Sequence, residues 1–254
     1  MPKLKNLTLD EVGNTLHGYQ YSNISIDKLG ASEYTIVHAV IDKSGSVYPF
    51  KDDLEKMIKT VIEACKENAR AENLLCRTTA FNSTNFGAEI EEIHGFSALD
   101  AIDPDKYIGT IKPDGGTPLF QASLEATEAL IDFSKKLYLK KFLCNSILFI
   151  ITDGEDNASN VSPEDIKKAI DLIRKEKIIE SFRTILIGVN DQDTRLKGFL
   201  EAFRKRAEID EYVSIGEATP HKLAKLAQFV SQSISSQSQA LGTGGASQPV
   251  DFKF

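Results

Sequence analysis

Five residues in this sequence have the types and settings to act together: Asp42, Ser44 and Ser46 in VIDKSGSV, Thr117 in GGTPL, and Asp153 in TDGED. All five offer hard oxygen donors. Read alone, VIDKSGSV permits a plain strand-to-helix turn, a phosphate-holding loop or part of a metal site. As a set, two aspartates balance a divalent charge and three hydroxyls add neutral ligands. Mg²⁺ takes about six oxygens in a near-octahedral array and keeps some waters, so such a set leaves a coordination position for an outside oxygen. The rival chemistry is a phosphatase-like, metal-dependent hydrolase with Asp42 as nucleophile. It needs a second acid two residues later for proton transfer, and position 44 is serine. The phosphate-loop pattern GxxxxGK[ST] and a nucleophile elbow are both absent. The four histidines, His17, His38, His94 and His221, are scattered without metal spacing, and His38 reads as a packed, hydrogen-bonded core residue.

The five residues need a scaffold that brings distant segments together. Tyr34–Ile41 is a nearly continuous β-rich apolar run, as expected for a strand covered on both faces. A helix is predicted over 49–71, with Phe50, Leu54, Met57, Val61 and Cys65 forming one stripe. Strands follow at Leu74–Phe81 and Ala88–His94, the latter short. Pro118 opens a helix with Phe120, Leu124, Leu130 and Ile131 on its buried face. SILFIIT, ending at Asp153, is the most apolar strand. Ser162-Pro163-Glu164-Asp165 starts the next helix. Beyond it come a strand at Phe182–Val189, a helix at Leu196–Ala207, a short strand at Tyr212–Ile215 and a last helix from Thr219-Pro220.

Strands alternating with crossover-length helices predict an α/β fold, a mostly parallel central sheet with helices on both faces. In such sheets, ligand sites form outside the strand C-termini, which is where Asp42, Thr117 and Asp153 are expected. The unit is expected over 33–235. Residues 1–32 form an N-terminal extension, with a helical turn near Leu7–Val12 and weak edge-strand alternation over Tyr19–Ile26. The sequence leaves open whether it joins the sheet or packs elsewhere. Residues 236–254 read as a flexible Gly/Ser/Gln-rich tail, closed by the more apolar PVDFKF.

A 254-residue chain with 41% apolar and 26% charged residues can bury a core without metal staples, so a metal here would be functional. The net charge of -7 and pI of about 5.3 argue against nucleic-acid and anionic-membrane partners. No run of 18 apolar residues and no secretory signal are visible, which predicts a cytoplasmic protein. Three cysteines without CxxC spacing read as reduced, buried thiols.

With these motifs in order and on strand ends, the sequence over about 33–235 resembles a von Willebrand factor type A (vWA) domain of the stand-alone bacterial or phage type. DxSxS, the threonine of GGTPL and the aspartate of TDGED resemble an intact metal-ion-dependent adhesion site. The resemblance implies a vWA/Rossmann-like fold, a doubly wound sheet with one short antiparallel edge strand, and a bound Mg²⁺ or Mn²⁺. Ser44, Ser46 and Thr117 would ligate directly, and Asp42 and Asp153 mostly through water. It implies an intracellular adaptor rather than an enzyme, clamping an Asp or Glu of a protein partner such as an AAA+ ATPase, kinase or phosphatase. A structural scaffold with an idle metal site is the remaining alternative.

Val47, Tyr48, Phe50, Phe86, Phe96 and Leu119 are candidates for flanking contacts. Glu155 and Asp156 read as a solvated acidic rim. Asp251 and the terminal carboxylate, beyond a linker whose typical reach is on the order of 20 Å, could act as an internal pseudo-ligand.

Overall fold

The computed structural model describes residue 24 and residues 26–243. The expected helical turn at Leu7–Val12, nearly all of the Tyr19–Ile26 stretch and the DFKF end lie outside the described residues. Ile26 itself opens a 3-10 turn, Ile26–Lys28.

Six strands form one sheet: β1 (Glu33–Asp42), β2 (Leu74–Thr84), β3 (Gly87–Ala98), β4 (Leu143–Thr152), β5 (Ser181–Gly188) and β6 (Glu211–Ser214), in the order β3-β2-β1-β4-β5-β6. All pairings are parallel except β2 with β3. The chain winds outward from β1 through β2 on one side and through β4 on the other, so the sheet reverses its winding between β1 and β4. That is the topological switch point where doubly wound sheets hold their ligands.

The central strands are buried on both faces because each face carries helices. Val37, Ile41, Phe149 and Ile151 pack against α1 (Lys51–Lys66) and α5 (Pro220–Thr243). Ile36, Val40, Leu148 and Ile150 pack against α2 (Leu119–Leu139), α3 (Pro163–Glu176) and α4 (Thr194–Ala207). Alternation within each strand thus feeds two cores, and the sequence of each strand reads as continuously apolar. The expected start of α3 holds: Pro163 lies in its first turn and the Ser162 N–H donates to Asp165 Oδ2 at 3.0 Å. His38 is fully buried, 3.1 Å from Thr79 Oγ1, and burial followed by the Arg77 charge holds its ring neutral. The three cysteines are buried free thiols, and burial pushes Cys65 up to about 12. Among the described residues no helix is long and apolar enough to cross a membrane.

Four expectations change. The antiparallel edge strand β3 is not short: it has 12 residues, because register shifts against β2 around Cys76–Thr79 let pairing resume after the alternation breaks. The helix predicted over 49–71 is a 3-10 segment, Gly45–Phe50, followed by the α-helix. Phe120 and Leu124 are only partly buried, while Ala122, Ala126 and Ala129 of α2 are buried.

The fourth change is the C-terminal boundary. Residues 236–243, predicted to be flexible, continue α5, with Gln237 fully buried and Ser238 nearly so. Gln237 Nε2 donates to Ser181 Oγ at 2.6 Å, and its backbone oxygen accepts from Asn145 Nδ2 at 2.9 Å. Arg70 Nε donates to Ser238 Oγ at 3.0 Å. Composition counts apolar surface only; here small polar side chains are ordered by specific partners at the strand N-termini.

A 24-residue helix is about 36 Å long, and α5 ends at the sheet edge opposite Asp42. The DFKF end itself lies beyond Thr243, outside the described residues.

Ending the chain at Ser235 therefore removes packed helix rather than loose tail. It should lower unfolding stability by at least about 2 kcal/mol, the scale of one buried leucine. Urea denaturation reads this directly, and an unchanged midpoint would restore the flexible-tail reading.

Candidate metal centre

The register places β1 and β4 side by side up to Ile41 and Ile151. The next residues, Asp42 and Thr152, close the two strands, and Asp153 follows. Both aspartates are largely buried, at 1% and 8% exposure. Asp42 is held in place by its neighbours. Its Oδ1 accepts the Ser44 N–H at 2.8 Å and its Oδ2 accepts the Thr152 hydroxyl at 2.6 Å. Ser46 Oγ donates to Asp153 Oδ1 at 2.8 Å, and Ser44 Oγ lies 3.1 Å from Ser46 Oγ. Asp42, Ser44, Ser46 and Asp153 thus form one connected group drawn from two strand ends.

Thr117 joins from the loop before α2. A Cβ built on Gly154 would come within 3.0 Å of Thr117 Oγ1, so the threonine hydroxyl lies against the backbone beside Asp153. Two glycines make the approach possible. Gly115 has φ of +67°, and a Cβ there would fall 1.7 Å from Ser83 O. A Cβ on Gly116 would fall 2.5 Å from Asn157 Oδ1. The same turn is stitched to the other loops: Gly45 N–H donates to Gly115 O at 3.1 Å, Ser83 N–H to Gly116 O at 3.0 Å, and Asp114 N–H to Lys43 O at 3.0 Å. All five residues singled out in the sequence therefore converge at the switch point.

Several participants were not foreseen. Thr152 orients Asp42. Asn157 and Ser83 hold the glycine turn, Ser83 Oγ accepting the Gly116 N–H at 2.8 Å. Asp156, read as a solvated rim acid, instead accepts the Phe120 N–H at 2.9 Å and so caps α2. Glu155 pairs with Arg195 at 2.9 Å. Asn, Asp and Ser are legible in sequence as loop and cap residues, but their partners lie about 40 residues away and only the fold supplies them.

The electrostatics distinguish the pair. Burial, then the charge of Asp42, pushes Asp153 up to about 7; burial also raises Asp42 against four hydrogen bonds that lower it. Lys43, adjacent in sequence, is committed to Glu91 at 2.6 Å. Among the described residues neither acid makes an ion pair with a lysine or arginine. Two buried carboxylates facing hydroxyls, with their own cations spent elsewhere, are an arrangement that a divalent cation would complete. Among the described residues no three His, Cys, Asp or Glu side chains converge as a metal-binding group. The donor set is instead two carboxylates with hydroxyl oxygens, hard ligands that suit Mg²⁺ or Mn²⁺.

No family model matches the chain, and no curated protein matches it. Solved structures do. A minor pilin, PilB from Streptococcus sanguinis (a D319A mutant), matches at 16% identity and TM-score 0.55 over 87% of this chain and 65% of its own. A von Willebrand factor type A protein from Catenulispora acidiphila matches at 18% and 0.50, over 81% and 43%. Proximal thread matrix protein 1 of the mussel byssus, with zinc in its MIDAS motif, matches at 17% and 0.51, over 80% and 46%. The chain thus spans about two-fifths to two-thirds of these relatives' lengths. At these identities the likeness concerns the fold: this is a vWA-like α/β fold, with its six-stranded sheet and single antiparallel strand.

A sign follows for pH. The folded, metal-free protein holds a proton on Asp153 that the unfolded chain releases near pH 4. Its stability contribution is present at low pH and is lost as pH rises from about 4 to about 7. Metal-free melting temperature should fall over that window, and Asp153→Asn should flatten the fall. Mn²⁺ should restore more stability at pH 8 than at pH 5, since the cation competes with the proton. Differential scanning calorimetry with and without chelator checks both.

Proposed function

We propose that this protein is a metal-dependent protein-binding module, which uses a divalent cation held by Asp42, Ser44, Ser46, Thr117 and Asp153 to grip an acidic side chain of a partner. The observation carrying this reading is the buried carboxylate pair, which has no lysine or arginine ion pair among the described residues and is ringed by hydroxyls at the switch point. When bound, Mg²⁺ or Mn²⁺ would supply positive charge and an open position for the partner's carboxylate. The chain's own residues do the rest: Thr152 and the Ser44 amide hold Asp42, and the glycine turn presents Thr117. Metal-bearing relatives such as the zinc-occupied byssus protein support the metal part of the reading.

Surrounding contacts must add affinity, because one carboxylate–metal contact leaves binding modest. Of the six flanking candidates, Val47, Phe50, Phe96 and Leu119 are buried and belong to the core. Tyr48 and Phe86 are exposed, at 69% and 102%. Tyr48 follows Ser46 by two residues. Phe86 tips the β2–β3 hairpin, whose Ser83 touches the glycine turn. Tyrosine is among the residue types enriched where binding energy concentrates at interfaces, and a large exposed aromatic offers apolar area for a partner to bury. We therefore read Tyr48 and Phe86 as the partner-facing anchors of an adaptor acting in the cytoplasm, with AAA+ ATPases, kinases and phosphatases as candidate partners.

A hydrolytic role is less well supported. Both Asp42 oxygens accept short hydrogen bonds and the residue is 1% exposed, so it is poorly placed as a nucleophile. The neighbouring position 44 offers a hydroxyl in place of a general acid.

Mg²⁺ or Mn²⁺ should raise the melting temperature through linkage, and Asp42→Ala or Thr117→Ala should abolish the shift. A pull-down from native lysate should yield a partner without EDTA and lose it with EDTA. Tyr48→Ala with Phe86→Ser should weaken capture roughly tenfold while keeping the metal-induced shift. A wild-type protein with no metal-dependent shift would overturn the metal reading, and phosphate release from generic substrates would favour the hydrolase.

A further inference from the structure

The segment Asp153–Ser159 does more than deliver an acid. The N-terminus of α2, which follows Thr117 directly, has no cap of its own: Pro118 makes no side-chain capping bond and the first turn has no acid. Its free N–H groups require partners, and those come from the loop after β4. Phe120 N–H donates to Asp156 Oδ2 at 2.9 Å, and Gln121 N–H donates to Ser159 Oγ at 2.9 Å. Ser159 Oγ in turn donates to Asp156 Oδ2 at 2.5 Å, which closes the cap on itself.

Asn157 completes the bridge. Its Oδ1 accepts the Thr117 N–H at 2.7 Å, and its own N–H donates to Thr117 O at 3.0 Å. One residue thereby holds both polar backbone groups of Thr117. The fit is tight, since a Cβ on Gly116 would approach Asn157 Oδ1 to 2.5 Å and Ser83 Oγ to 2.9 Å. Four residues before Asn157 stands Asp153. The loop carrying the second acid and the loop carrying the threonine hydroxyl are therefore one hydrogen-bonded unit.

We propose that Asn157 is a positioning residue for the metal centre: without touching the ion, it fixes Thr117 against Asp153 through its paired hydrogen bonds, with Asp156 and Ser159 as the cap that stiffens the same unit. The proposal rests on the metal-centre reading above. Asn157 Oδ1 is committed to Thr117 and is not offered as a ligand. Outer partners that orient ligands typically change metal affinity by about 10–100-fold when removed.

The test uses the full chain, with Mn²⁺ alone as the probe. Isothermal titration should show Asn157→Ala binding Mn²⁺ about 10–100-fold more weakly than wild type. Asn157→Asp, which keeps an acceptor oxygen and the backbone N–H, should bind within about threefold of wild type or tighter. A second readout needs no metal: amide hydrogen exchange at Thr117 should speed at least about tenfold in Asn157→Ala and stay slow in Asn157→Asp, while core amides of β1 and β4 stay protected in both.

Wild-type-like Mn²⁺ affinity in Asn157→Ala, unchanged Thr117 exchange, or failure of Asn157→Asp to rescue would overturn the proposal. Loss of core protection in parallel with Thr117 would overturn it too, as the residue would then be merely structural. If wild type takes up no Mn²⁺, the metal-centre reading falls, and the Thr117 exchange result still reports whether Asn157 holds the loop.

Discussion

Two carboxylates, Asp42 and Asp153, are buried side by side at the ends of adjacent parallel strands, and the surrounding structure is arranged about that repulsion. Parallel pairing of β1 with β4 leaves their C-termini no alternative to proximity. Burial raises both acids, and the charge of Asp42 adds to the rise at Asp153. The molecule answers with hydroxyls and backbone amides instead of basic side chains. Ser44, Ser46 and Thr152 supply neutral donors, while Lys43 pairs with Glu91 and Arg195 with Glu155. Neutral donors hold the acids in place but bring no positive charge to the pair.

The same constraint explains why the loops are so tightly stitched. A cation site built from three separate segments works only if those segments keep their relative positions to a fraction of an ångström. Here the first loop meets the second through Gly45 and Gly115, the second meets the β2–β3 hairpin through Gly116 and Ser83, and the second meets the third through Thr117 and Asn157. Each stitch uses backbone groups that a loop would otherwise leave to water. The glycines leave room for these contacts: a Cβ at position 115 would strike the Ser83 carbonyl, and one at position 116 would crowd the Asn157 and Ser83 side chains.

Away from the site the sheet is held by different means. Two apolar cores flank the sheet, one under α1 and α5 and one under α2, α3 and α4. The far end of α5 is fixed by Gln237, Ser238 and their partners at the strand N-termini. In the first loop, exposed Tyr48 stands between Val47 and Phe50, which are buried in the core, so neighbouring residues of one short segment face solvent and interior in turn.

The amino-acid order by itself determined the alternating architecture and the five residues that meet. β-rich runs such as TIVHAVI and SILFIIT, of strand length and nearly continuous, read as strands covered on both faces, and acids closing such runs lie at the ligand edge of a parallel sheet. What it could not determine were features that depend on partners far along the chain. Asp156 looked like a solvated acid until α2 presented its free N–H groups. Asn157 had no visible role until Gly116 and Thr117 came against it. SSQSQAL lacks the apolar surface that marks a helix, and only Ser181, Asn145 and Arg70, between 56 and 168 residues away, give its polar groups a reason to order. Local pattern reports which face of an element is apolar; a hydrogen bond between distant polar groups exists only once tertiary structure has placed both ends.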